Sequence, residues 1–141
     1  MKNLKISIIV VCISLFFASG DVIAAGRQNN NEKEIEKLLL LTSKKLNENL
    51  PMMVDESTRA DMTTAIGNQL HYKYTMIKIA VNNIDKNAFS REMRTMLVTN
   101  QCNNENTLKM LKYGVLVYYA HYDKNGIIIS TTKISKKDCG L

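Results

Sequence analysis

Residues 115–134 constrain the fold of this chain more than any other stretch. Val115, Val117, Tyr118, Tyr119 and Tyr122 are the β-branched and aromatic residues of a strand over 115–122. Asp123-Lys124-Asn125-Gly126 follows. Asn and Gly tolerate the positive φ that a tight hairpin turn requires. Residues 127–134 (Ile-Ile-Ile-Ser-Thr-Thr-Lys-Ile) then read as the return strand. An isolated hairpin is marginal in water, so further strands and a covering layer are required.

Those elements are visible upstream. Leu70, Tyr72, Tyr74 and Met76 alternate with His71, Lys73 and Thr75, the pattern of a strand. After Met76 the apolar set moves to Ile77, Ile79 and Val81. Within one strand over 70–81, that change of parity predicts a β-bulge or burial of both faces. Residues 58–66 are expected as a shorter strand, 52–54 as an edge strand, and Gly67-Asn68 as a turn. Ile35, Leu38, Leu39, Leu46 and Leu50 make one apolar side of a helix over 32–47. Asn31 and Glu34 resemble its capping box, and Pro51 stops it.

Asp85 is the N-cap of a second helix over 86–99, with Phe89, Met93, Met96 and Leu97 on one face. Residues 100–104 read as a polar loop, and 105–113 as a short helix ended by Gly114. The expected fold is α+β. It is a small single domain with an antiparallel sheet of about four strands. An N-terminal helix and a second helix pack on the sheet, and one disulfide ties it.

The first two dozen residues carry an address. A cationic start with Lys2 and Lys5 precedes an apolar run over 6–18, followed by Ala18-Ser19-Gly20 and Ala24-Ala25. That order reads as a signal peptide over 1–24, with cleavage after Gly20 or Ala24. The run is shorter than the roughly 20 residues of a membrane span, and no stable membrane anchor is expected. The mature domain is 25–141 with a loose start at 25–31, and its expected location is the periplasm. Cleavage after Ala24 removes Lys2, Lys5 and Asp21, leaving seventeen basic against twelve acidic residues. The net charge of +5 favours an anionic partner. Nucleic acid is a poor candidate, because the lysines are spread and the protein is exported.

Cleavage also removes Cys12, leaving Cys102 and Cys139. In an oxidising compartment an even pair reads as one disulfide. It closes a loop of about 38 residues, worth up to about 4 kcal/mol in the chain-entropy model.

No catalytic constellation stands out, and no cofactor or metal is expected. His71 and His121 lie in strands that could bring them together, but a histidine pair alone is not a metal site. Asp55, Glu56 and Asp61 cluster, as a paired-carboxylate glycosidase would require, but solvated loop charges explain them better. Tyr72, Tyr74, Tyr118, Tyr119 and Tyr122 form either cross-strand pairs or a recognition face.

With its Lys-, Asn- and Ile-rich composition, short precursor, plain signal segment and one cysteine pair, the chain resembles the small periplasmic bacteriocin immunity proteins. The resemblance implies a partner: a muramidase-type, cell-wall-hydrolysing bacteriocin, which the protein would bind and neutralise. Candidate contacts, chosen for charge and exposure, are Arg59, Lys73, Arg91, Arg94, Lys133, Lys136 and Lys137. The alternatives are a pilotin-like accessory protein of an envelope secretion or pilus apparatus, and a small envelope enzyme.

Overall fold

The computed structural model describes residues 30–141, and Ile35–Leu141 form one compact unit. The signal segment, its cleavage points and most of the expected loose start lie outside the described residues. Helix α1 runs over 30–47, so Asn31 lies within the helix rather than capping it. Strands β1 (Met52–Met53), β2 (Thr58–Ile66) and β3 (Gln69–Met76) follow. Next come α2 (Lys86–Cys102), α3 (Glu105–Lys112), β4 (Leu116–Asp123) and β5 (Ile128–Ile134). Two short 3-10 turns, Val81–Asn83 and Lys136–Cys139, complete the chain. No helix of the described residues is long and apolar enough to cross a membrane.

The five strands form one sheet in sequence order. Neighbours are antiparallel except at the centre, where β3 and β4 run parallel. The sequence predicts an antiparallel sheet throughout. The difference arises because α2 and α3 lie between these two strands, and a parallel pair needs such a crossover. The hairpin expected at 123–126 is present, with Gly126 at φ 80°. Asp123 organises it, accepting hydrogen bonds from the backbone N–H of Asn125 and Ile127 (both 2.8 Å) and of Val81 (2.9 Å). Burial would raise the Asp123 pKa, but these bonds outweigh it and hold the carboxyl below its ordinary value.

The core gathers Leu39, Leu70, Leu97, Leu111, Val117, Tyr119 and Ile134 between the sheet and the helices. Two helical faces differ from expectation. On α1 the inward line is Ile35, Leu39, Ser43 and Asn47, spaced by four, while Leu38 is 63% exposed and Leu46 sits at the rim. The polar members of that line are satisfied by Thr63, as a buried polar group must be. On α2 Leu97 is buried and Phe89 and Met93 are half-buried, but Met96 is 49% exposed.

The parity change after Met76 has a simpler cause than a bulge: β3 ends there. The Ile77 N–H bonds Ser57 O, and the Ile79 N–H turns back to Met76 O. Bulges lie instead in β2, between Ala60 and Met62, where Asp61 is the extra residue, and in β5, where Ile129 is. Helix α2 outruns the expected end by one turn and takes in Cys102. Its N-cap is Asp85, which accepts from the Asn87 and Ala88 N–H groups. Cys102 bonds Cys139 with a Cα–Cα distance of 5.2 Å. The expected disulfide is therefore formed, from a helix end rather than from a loop.

Candidate functional site

The sheet has two unlike faces. The strand register divides the tyrosines between them. Tyr72, Tyr74 and Tyr119 turn toward the helices and stack on one another, with centroids 5.2–6.4 Å apart. Burial is the leading cause that raises all three phenols, Tyr74 to about 12. Tyr118 and Tyr122 point to the opposite face. There His71 stacks on Tyr118 at 4.5 Å and Lys73 Nζ lies 4.9 Å over the Tyr122 ring. Thr64, Lys73, Thr131 and Lys133 on this face are exposed, so no described helix covers it.

The two histidines do not meet. His71 lies opposite Tyr118, while His121 lies opposite Tyr74 on the helix-covered face. His121 is buried against Tyr74 and Phe89, and burial lowers its pKa to about 4. Among the described residues no three His, Cys, Asp or Glu side chains gather to hold a metal. The acidic cluster is taken up locally. Asp55 accepts from the Ser57 and Thr58 N–H groups, and Asp61 accepts from Arg59 and from the Thr75 hydroxyl.

The basic candidates fall into four places. Arg59 is spent on Asp61 at 2.6 Å, at the β2 end of the sheet. Lys73 lies on the open face, and Arg91 is exposed on α2. Arg94 and Lys133–Lys137 converge at a corner where α2, α3 and β5 meet. Arg94 donates to Lys133 O at 3.2 Å and forms an ion pair with Asp138 at 2.5 Å. Asp138 also accepts from the Ser135 N–H (2.8 Å) and hydroxyl (2.7 Å), closing a capping box. Burial would raise the Asp138 pKa, but the Ser135 and Arg94 bonds outweigh it and lower the carboxyl. Lys133, Lys136 and Lys137 form no ion pair among the described residues.

These three lysines rim a cleft of about 270 Å³. Its walls are Leu111, Gly114, Val115, Leu116 and Ser135. Gly114 closes α3 at φ 82°, the left-handed conformation that turns the chain into β4. Disulfide Cys102–Cys139 holds the Lys136–Cys139 turn against the end of α2. The corner is thus an apolar hollow under three unpaired cations, built on a pinned frame.

Comparison with solved structures shows the fold. No protein-family model matches the chain, and no curated relative matches it in sequence. A protein of Pseudomonas aeruginosa described as secreted superposes with a TM-score of 0.68 at 20% identity, over 77% of this chain and 96% of that one. The pilotin EpsS of the Vibrio vulnificus type 2 secretion system superposes at 0.67 and 12% identity, over 79% and 96%. The type II secretion system pilotin AspS of Vibrio cholerae superposes at 0.65 and 16% identity, over 79% and 98%. The likeness takes in nearly the whole of each of those chains.

The sequence anticipates the lysines of the corner because three of them lie within five residues. It misses the hollow they surround. Leu111, Gly114 and Leu116 come to the same corner only through the α3–β4 turn and the β4–β5 pairing.

Proposed function

We propose that this protein is a pilotin-like accessory module of an envelope secretion or pilus apparatus, acting by binding a protein partner and not by catalysis. The observation that carries this reading is the fold likeness to two type II secretion pilotins along nearly their entire length. The signal segment agrees with it, because an exported protein meets such an apparatus in the envelope. So does the open sheet face, which presents Tyr118, Tyr122, Lys73 and Lys133 to a partner. Tyrosine gives large contact area at low entropy cost, and free lysines steer an acidic partner.

Neutralisation of a muramidase-type bacteriocin, the role implied by resemblance to the immunity proteins and among them the pesticin immunity protein, draws no support from these likenesses. A gene deletion separates the two readings. Loss of assembled secretin from the outer membrane, restored by the intact gene, is the expected result. Normal secretin assembly together with new sensitivity to a cell-wall-cutting toxin would overturn the accessory role.

A further inference from the structure

The cleft at the C-terminal corner has a shape and a charge that select a ligand. Its hollow of about 270 Å³ has Leu116 half-buried in the wall and Leu111 and Val115 closed in beneath. Its rim holds Lys133, Lys136 and Lys137. Asp138, the acidic side chain of the adjoining turn, is already used by Ser135 and Arg94, so it leaves the lysines uncompensated. A neutral apolar ligand would leave the rim unmatched, and a small inorganic anion would leave the hollow empty. A bilayer surface is flat and does not reach into a concave pocket.

We propose that this corner binds an acidic segment of a partner protein, with one apolar side chain in the hollow and flanking carboxylates on Lys133, Lys136 and Lys137. The inference rests on the protein-binding reading above and specifies its chemistry. It makes the corner, rather than the open sheet face, the point of first attachment. Charge draws the segment in, and the inserted side chain fixes its register. The disulfide has a part in this, since it fastens two of the three lysines to the fold.

The test uses the processed, oxidised protein recovered from the envelope and three probes. These are an acetylated, amidated Glu-Glu-Leu-Glu-Glu peptide, its Gln-Gln-Leu-Gln-Gln counterpart, and phosphatidylglycerol vesicles. The glutamate peptide is expected to shift the backbone amide resonances of Gly114, Leu116 and Lys136. Its affinity should fall about fivefold or more between 50 and 300 mM salt, as screening of exposed charge requires. Affinity should fall about tenfold in K136E/K137E, as two lost charge-assisted contacts require, and hold in K44E, whose lysine lies exposed on α1. Shifts confined to other surfaces, equal binding of the glutamine peptide, or vesicle binding without peptide binding would overturn the proposal. So would undiminished recovery of the native partner by K136E/K137E, which would leave the accessory role standing. Peptide binding at the corner with no secretion or pilus component recovered from the envelope would instead uphold the cleft and overturn that role.

Discussion

The side-chain amide of Asn47 binds both backbone groups of Thr63. The Thr63 N–H donates to Asn47 Oδ1 at 2.7 Å, and Asn47 Nδ2 donates to Thr63 O at 2.9 Å. The pair imitates one rung of a strand ladder at the edge of β2, beyond the point where two-residue β1 has ended. The Thr63 hydroxyl adds bonds to Ser43 and Asn47, so the last turns of α1 are locked to the sheet edge. An open edge invites pairing with another chain, and a side-chain amide in that position closes it.

Replacement N47A should therefore do two things. It removes three hydrogen bonds to Thr63 and strands a partly buried backbone pair, a loss of about 2–3 kcal/mol in stability. It also frees the edge for self-association. Urea denaturation checks the first effect, and light scattering at raised concentration checks the second. N47D, which cannot donate to Thr63 O, is expected to fall between the parent and N47A.

His121 predicts an acid dependence. Burial disfavours its charged form, so its folded pKa of about 4 lies below the unfolded value of 6.5. The unfolded chain binds the extra proton between those values, so stability is complete above about pH 6.5. It declines as the pH falls toward 4, by on the order of 3 kcal/mol in all. Urea midpoints measured from pH 7 to pH 4 should fall through this window, and H121F should flatten that part of the curve.

The stacked tyrosines predict the alkaline counterpart. Tyr72, Tyr74 and Tyr119 are held neutral by burial, with folded pKa values above the ordinary 10. The folded protein then holds protons that the unfolded chain releases, so stability falls as the pH rises past 10. The tyrosinate absorbance of these three should appear only together with loss of the far-ultraviolet dichroism.

The disulfide carries the corner. C102S/C139S should lose about 2–4 kcal/mol of stability. The Lys136–Cys139 turn keeps its Ser135–Asp138 capping box and the Arg94 pair, so the variant should fold. Faster amide hydrogen exchange confined to residues 135–141 and the end of α2 would be the mark of a loosened corner.

What is legible in the sequence follows the range of each interaction. The Asp123–Gly126 turn, the Asp85 cap and the Gly114 helix end are decided within a few residues, and each stands where the sequence places it. The inward face of α1 is not local. Ser43 and Asn47 face the core because Thr63, some twenty residues away, satisfies them, and counting leucines adds the outward Leu38 and Leu46 to the inward Ile35 and Leu39. The parallel pairing of β3 and β4 is likewise set by two intervening helices and not by either strand's own pattern. Among the basic candidates, exposure is readable but availability is not. Arg59 and Arg94 look free in sequence, yet each is paired with an aspartate in the fold.

Affinity purification of the tagged protein from crosslinked envelopes of its own host, read by mass spectrometry, decides the proposed role in an envelope secretion or pilus apparatus. Enrichment of a secretin or another fixed component of such an apparatus, in a defined ratio to the bait, is the expected result. Recovery of a cell-wall hydrolase in its place, with no apparatus component enriched, would contradict it.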